Sequence, residues 1–221
     1  MMFRYSFIVI LAGALCTSGC KKSGDYTGPL NSFKRYPYQK LHLSYTYDGD
    51  LRGTDELYFS DYGKYEARYS KYEVLVPGEV RGSDNASLLR ITDRYDINFQ
   101  DNTVIHDRDN SLDSLYHLDE KDIPASLKYW ETDMKNHFLV NKGTDIIDGK
   151  PAARWEADGG GLILWVWNSI LLRKRVNSNK GSMEMTIKTI DSLWTVDTTK
   201  FSIPAGLTNK PKPQPNAPGS N

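Results

Sequence analysis

The chain has 221 residues, enough for one sizeable domain and short for two. Lys plus Arg total 28 and Asp plus Glu total 28, so no strong net field draws the molecule to nucleic acid or to an anionic bilayer. Both cysteines, Cys16 and Cys20, lie at the extreme N-terminus, which leaves the body of the chain without a disulfide, a Cys-based metal centre or a redox motif.

The N-terminus reads as a targeting device. Arg4 supplies a short positive region, and residues 7–15 form an apolar run well below the roughly 20 residues that span a bilayer. Thr17-Ser18-Gly19-Cys20 looks like a lipobox, where a lipoprotein signal peptidase cleaves before a diacylated cysteine. The small Ser18 and Gly19 fit that pattern, while Thr17 stands where such boxes usually carry Leu. Ordinary secretion with cleavage at Ala12-Gly13-Ala14 is the competing reading, and it would leave two free thiols in an oxidising compartment. The expected division is a lipoprotein signal peptide over residues 1–19, a lipidated Cys20 with its tether over 20–38, a β domain over 39–207, and a disordered Pro-rich tail over 208–221. Such a chain sits in the cell envelope, held through Cys20 to a membrane, the outer one favoured, with its domain in the periplasm or at the cell surface.

Within the domain the β signal is persistent. Leu41, Leu43, Tyr45 and Tyr47 alternate with His42, Ser44 and Thr46, the period of a half-buried strand. Asp48-Gly49-Asp50 marks a turn, residues 56–60 alternate again, Asp61-Tyr62-Gly63 turns the chain, and residues 65–70 return. Further strands are predicted at 89–91, 95–99, 103–106 and 115–117. Leu127, Trp130, Met134 and Phe138 then fall at helical spacing behind Pro124, which predicts one amphipathic helix over about 124–138. After an Asp148-Gly149 turn, strands are predicted at 152–157, 162–167, 170–175, 183–187 and 201–203. The fold class is α+β and mostly antiparallel β.

The run from Thr54 to Arg68, Gly149-Lys150 ahead of a strand, Trp165-Val166-Trp167, and Phe201-Ser202-Ile203-Pro204-Ala205-Gly206 together resemble the LolA/LolB-like superfamily, in particular an uncharacterised branch of Bacteroidota-type envelope lipoproteins. The resemblance covers about residues 40–207 and rests on turn residues and aromatics. That branch often carries Cys where this chain has Ala152, which reads as loss of a structural cysteine. The resemblance implies a curved, half-open barrel sheet wrapped around one or a few helices, with an apolar cavity between them that takes acyl chains of lipoproteins or other lipids.

Catalytic signatures are missing from the sequence. His42, His106, His117 and His137 are scattered; His106 and His117 would need a third convergent ligand to hold a metal, and neither H-E-x-x-H nor G-x-S-x-G occurs. Asp107, Asp109, Ser111 and Asp113 take the odd positions of a calcium loop, but Leu112 sits where that loop needs Gly, so an acidic connector is the better reading.

Residues 162–167 are apolar on both strand faces, so both are covered by protein or one lines a ligand site. The expected ligand residues are Trp130, Phe138, Trp165 and Trp167, facing one cavity between sheet and helix. The expected function is non-enzymatic binding of a lipid, acyl chain or other apolar ligand, with no cofactor, no metal and no nucleic acid, and with no protein partner legible. The alternative is the same scaffold with a filled core, acting as a structural or interaction lipoprotein.

Overall fold

The computed structural model describes residues 29–76, 79–179 and 181–212. Among these residues twelve strands form one sheet. They are β1 (Leu41–Gly49), β2 (Leu51–Ser60), β3 (Tyr65–Val76), β4 (Glu79–Arg90), β5 (Asp93–Asn98), β6 (Thr103–Arg108), β7 (Leu139–Ile147), β8 (Lys150–Ala157), β9 (Leu162–Trp167), β10 (Ile170–Ser178), β11 (Gly181–Asp191) and β12 (Thr208–Asn209). Helices α1 (Asn110–Tyr116) and α2 (Ser126–Asn136) lie between β6 and β7. The order across the sheet is β12-β6-β5-β4-β3-β2-β1-β11-β10-β9-β8-β7. Two antiparallel meanders therefore join where β1 pairs with β11, and β12 lies parallel to β6. The sheet does not close among the described residues. This is the half-open, mostly antiparallel architecture with helices that the sequence led us to expect.

Alternation in β1 has its predicted consequence. Leu41, Leu43 and Tyr45 are buried while the residues between them are half-buried. They form one core with Leu57 and Phe59 of β2, Leu164 of β9, Leu172 of β10, Met185 and Ile187 of β11, and Trp130 and Met134 of α2. We call the sheet face on which α2 packs the inner face. A second core, around Ala67, Ala86, Leu88, Ile97 and Val104, lies on the opposite face of β3–β6 and is covered by Phe201 of the C-terminal segment. The two larger cores thus lie on opposite faces of the two halves of the sheet, and a smaller third one joins Leu89 to Phe33, Leu112 and Tyr116.

Strand β7 is not among the predicted strands, β2, β3 and β4 run well beyond the predicted 56–60, 65–70 and 89–91, and four further boundaries differ for reasons visible in the structure. Residues 115–117 belong to the end of α1, because Asp109 caps the helix by accepting from the backbone amides of Ser111 and Leu112 at 3.1 and 3.0 Å. Residues 201–203 are not a strand; a 3-10 turn over Thr198–Phe201 lays Phe201 into the second core. The tether ends early, since Phe33, Arg35 and Tyr36 are buried, and the ring of Tyr36 stacks on Phe59 at 4.1 Å. Gly63 makes room for it: a Cβ there would meet the Tyr36 ring at 2.6 Å. Finally, Thr208 and Asn209 pair with Thr103 and Val104, so the tail begins beyond them. Cys20 and residues 1–28, like the end of the tail from residue 213, lie outside the described residues.

Candidate functional site on the inner face

Strand register fixes which side chains share the inner face, because successive residues point to opposite sides. Tyr45 pairs with Asp55 and Ile187, Tyr47 with Gly53 and Met185, and Lys174 with Met185 and Leu164. Asp55 pairs with Ser70, Leu57 with Arg68, and Gly53 with Tyr72. Val176 pairs with Met183 and Leu162. All these side chains therefore face inward.

The inner face has two zones. Under α2 it is solid: Tyr36, Leu41, Leu43, Phe59, Trp130 and Met134 bury one another. The oily gap expected between helix and sheet is thus occupied by side chains. Away from α2, towards the far ends of β1, β3, β10 and β11, Tyr47, Tyr72, Leu162, Val176 and Met183 are only half-buried. Aromatic and aliphatic carbon remains reachable there.

Between the zones sits a buried polar cluster. Asp55 is 0% exposed. Its carboxylate accepts from the Ser70 hydroxyl at 2.6 Å and from the Tyr47 hydroxyl at 3.1 Å, and the Arg68 Nε lies 3.6 Å away. A buried carboxylate is expensive unless paired and hydrogen-bonded, and here both conditions are met. Burial pushes the Tyr47 hydroxyl's pKa well above its ordinary range, and Asp55 pushes it further. Burial works against the charge on Arg68, but Asp55, Tyr47 and Tyr45 outweigh it and hold the guanidinium firmly protonated.

Lys174 completes the cluster. Burial pushes its pKa down from the ordinary lysine value, the positive charge of Arg68 pushes it down further, and the negative charge of Asp55 recovers only part of the shift. Lys174 is on β10 and Arg68 on β3, four strand steps apart in the sheet order, and register turns both side chains to the inner face.

Of the four residues expected to line one cavity, Trp130 is on the inner side, where its Nε1 donates to the Arg35 carbonyl at 2.7 Å. Trp165 is on the other face. It pairs with Arg173 and Arg154, one residue out of phase with Leu164, which faces inward. Its indole Nε1 donates to Asp145 at 2.7 Å, and the guanidiniums of Arg154, Arg173 and Arg175 stand 5.9, 5.8 and 5.6 Å from the ring. Trp167 shares that outer face by alternation and has the Lys150 ammonium 5.6 Å from its ring. Phe138 follows the end of α2 with φ of 58° and is 85% exposed. Its helical spacing from Met134 fails because His137 already ends the helix. The structure does not bring the four together. Sequence reasoning missed Asp55, Arg68 and Lys174, and an inward position for them had no signal apart from strand phase.

The histidines are separate. His42 meets Glu56 at 2.5 Å and His106 meets Asp93 at 2.8 Å, while His117 and His137 bond carbonyls of their own helices at 2.7 and 2.8 Å. No group of three or more His, Cys, Asp or Glu placed to hold a metal occurs among the described residues. The odd-position acids are local too: Asp109 caps α1, and Asp113 accepts from Arg108 at 2.9 Å. A shallow recess of about 300 Å³ opens between α2 and the β9–β10 turn, lined by Pro37, Tyr38, Leu127 and Asn168 among others. No helix of the described residues is long and apolar enough to cross a membrane.

No family model matches the chain, and no curated protein matches it. Among solved structures it is similar to an uncharacterised conserved protein from Thermus thermophilus, at 10% identity and a TM-score of 0.48, over 80% of this chain and 92% of that one. It is also similar to LprF from Mycobacterium bovis, at 13% identity, a TM-score of 0.34, and 74% and 90% coverage. The lipoprotein LppX from Mycobacterium tuberculosis gives 13%, 0.33, and 73% and 91%. At TM-scores below 0.5 these are likenesses only; what this chain can hold follows from its own residues.

Proposed function

We propose that this chain is an envelope lipoprotein, anchored through the acylated Cys20, that holds a lipid, an acyl chain or another apolar ligand on the uncovered part of its inner face, making and breaking no bonds. The observation that carries this reading is the half-buried apolar set Tyr47, Tyr72, Leu162, Val176 and Met183, all on the inner face of the sheet. Apolar side chains grouped on one face mark a ligand or docking surface more often than apolar side chains scattered singly do. Removing about ten methylenes from water there contributes roughly 8 kcal/mol before the costs of ordering the ligand. Binding inside the envelope fits an anchored chain whose neighbours are membranes, and no charge imbalance points to nucleic acid.

The test is photolabelling. Membranes carrying the full-length chain are exposed to photoreactive hexadecanol, and adducts are mapped by mass spectrometry. Adducts on β1, β3, β9, β10 and β11 at the five residues named support the reading; a folded chain with no adduct on this face overturns it.

The solid core under α2 favours a second reading, a scaffold that works through its surface. Phe138, Val140 and Ile146 are exposed at and beside the edge strand β7, where a partner would meet them. Stoichiometric capture of one envelope protein through β7, with the inner face unlabelled, would establish it.

A further inference from the structure

The arginines that share the inner side with the main core have their counter-charges. Arg35 lies 3.2 Å from Glu66, and Arg68 lies 3.6 Å from Asp55. On the outer face Arg173 and Arg175 share Glu184, at 3.7 and 2.7 Å. Lys174 differs. It is half-buried, it lies on the inner face between Leu164 and Met185, and it has neither an ion pair nor a hydrogen bond. Of the charges on this face, Arg35, Arg68 and Lys174 are positive and Asp55 and Glu66 negative; Asp55 is engaged by Arg68, Ser70 and Tyr47, and Glu66 by Arg35 and Tyr36. One positive charge is left over in a place partly stripped of water, which is costly for a protein to maintain unless an anion arrives. Around it the lining is apolar: Leu164 and Met185 flank Lys174 across the sheet, and Val176 follows it on the same side with Leu162 and Met183. A cation set in apolar walls matches a molecule that is anionic at one end and apolar along the rest.

We propose that the inner face takes an amphiphile with a single anionic head, a fatty carboxylate or a phosphodiester, seated on Lys174 beside Arg68, with its chain along Tyr47, Met183, Val176 and Leu162. This deepens, and rests on, the reading of the inner face as an acyl site. Lys174 is the specificity determinant: its ammonium accepts the head, and Arg68, already fixed by Asp55, contributes field without changing partner. A neutral lipid of the same length would leave the Lys174 charge unpaired and bind less well.

The experiment pairs photoreactive palmitate with photoreactive hexadecanol on membranes carrying the full-length chain. Adducts on the inner face are expressed as a palmitate-to-hexadecanol ratio, so that partitioning into the bilayer cancels between variants. Lys174→Met should lower that ratio at least fivefold, and Lys174→Arg should keep it within twofold of wild type. Thermal melts confirm that both variants fold. On the wild-type chain alone, unlabelled lysophosphatidylglycerol or palmitate should displace the palmitate probe at a concentration at least tenfold lower than zwitterionic lysophosphatidylcholine. The more potent of the two anions identifies the head. A ratio unchanged in folded Lys174→Met, or equal displacement by the anionic and zwitterionic competitors, overturns the assignment of Lys174 and leaves the acyl site standing. Labelling of the inner face by neither probe overturns both.

Discussion

The indole Nε1 of Trp130, on α2, donates to the main-chain carbonyl of Arg35 at 2.7 Å, so the helix is fastened to the segment that leads from the N-terminus into the sheet. The same segment is fastened to the β2–β3 turn: the Arg35 guanidinium donates to the Gly63 carbonyl at 3.2 Å, and Tyr36 donates to Glu66 at 2.8 Å. One short stretch of chain, read from composition as a loose tether, is what positions the helix over the core. Trp130→Phe keeps most of the packing but leaves a buried carbonyl unmet, so it should cost about 1–3 kcal/mol. Trp130→Ala also opens a cavity and should cost about 3–5 kcal/mol. Urea unfolding measures both; equal midpoints for the two variants would show that the hydrogen bond and the ring do not act as described.

Asp55 offers a sharper test of the polar cluster. Asp55→Ala leaves the Arg68 guanidinium without its counter-charge and the Ser70 and Tyr47 hydroxyls without their acceptor. Removing one member of a buried pair typically costs 3–5 kcal/mol, but the Arg68 side chain is 22% exposed and recovers some hydration, so about 2–4 kcal/mol is expected. In the Arg68→Met background the same Asp55 substitution should cost measurably less. A double-mutant cycle on unfolding free energies reads the difference, and strict additivity would refute the pairing.

How far the residues alone could lead is clear from β1 and β9. In β1, apolar and polar residues alternate, one face is unmistakably apolar, and both the strand and its buried set follow directly. In β9, Leu162 to Trp167 are all apolar, so alternation carries no information about direction. The concave inner face that the LolA-like resemblance implies leads to the expectation of the Trp165 and Trp167 indoles beside Trp130. Register puts them on the opposite face, where arginines cover one ring and a lysine the other. The inward Asp55, Arg68 and Lys174 were illegible for a related reason: charged residues in a strand are read as the wet face. In a sheet whose two larger cores lie on opposite faces, as they do on either side of β2–β3 here, that rule fails. The open sheet order was legible only through resemblance, since which strand pairs with β1 depends on contacts distant in sequence.

Trp165 therefore carries a prediction opposite to the one its sequence context invites. It is 5% exposed, hydrogen-bonded to Asp145 and surrounded by three guanidiniums on the outer face. Trp165→Ala should cost about 3–5 kcal/mol of stability. Where the variant still folds, hexadecanol labelling of the inner face should stay within twofold of wild type. Loss of labelling in a chain whose melting temperature is unchanged would return Trp165 to the ligand site.

Lys174 makes a prediction about stability without ligand. Burial and the charge of Arg68 push its pKa in the folded chain below the 10.5 of an ordinary lysine. A folded-state pKa below the unfolded one means that the charged lysine opposes folding. This cost is at its full value below the folded pKa, and it is lifted as the pH rises from there towards 10.5. Lys174→Met removes the charge and keeps an unbranched apolar side chain, so it should stabilise the unliganded protein at pH 7, by about 1 kcal/mol as is common where a substitution relieves a functional compromise. The advantage should shrink as the pH approaches 10.5, where wild type has also shed the charge. Thermal melts of wild type and variant across pH 7 to 10.5 read both effects. A variant less stable at pH 7, or an advantage that does not change with pH, would mean that Lys174 is not the strained cation on which an anionic ligand could act.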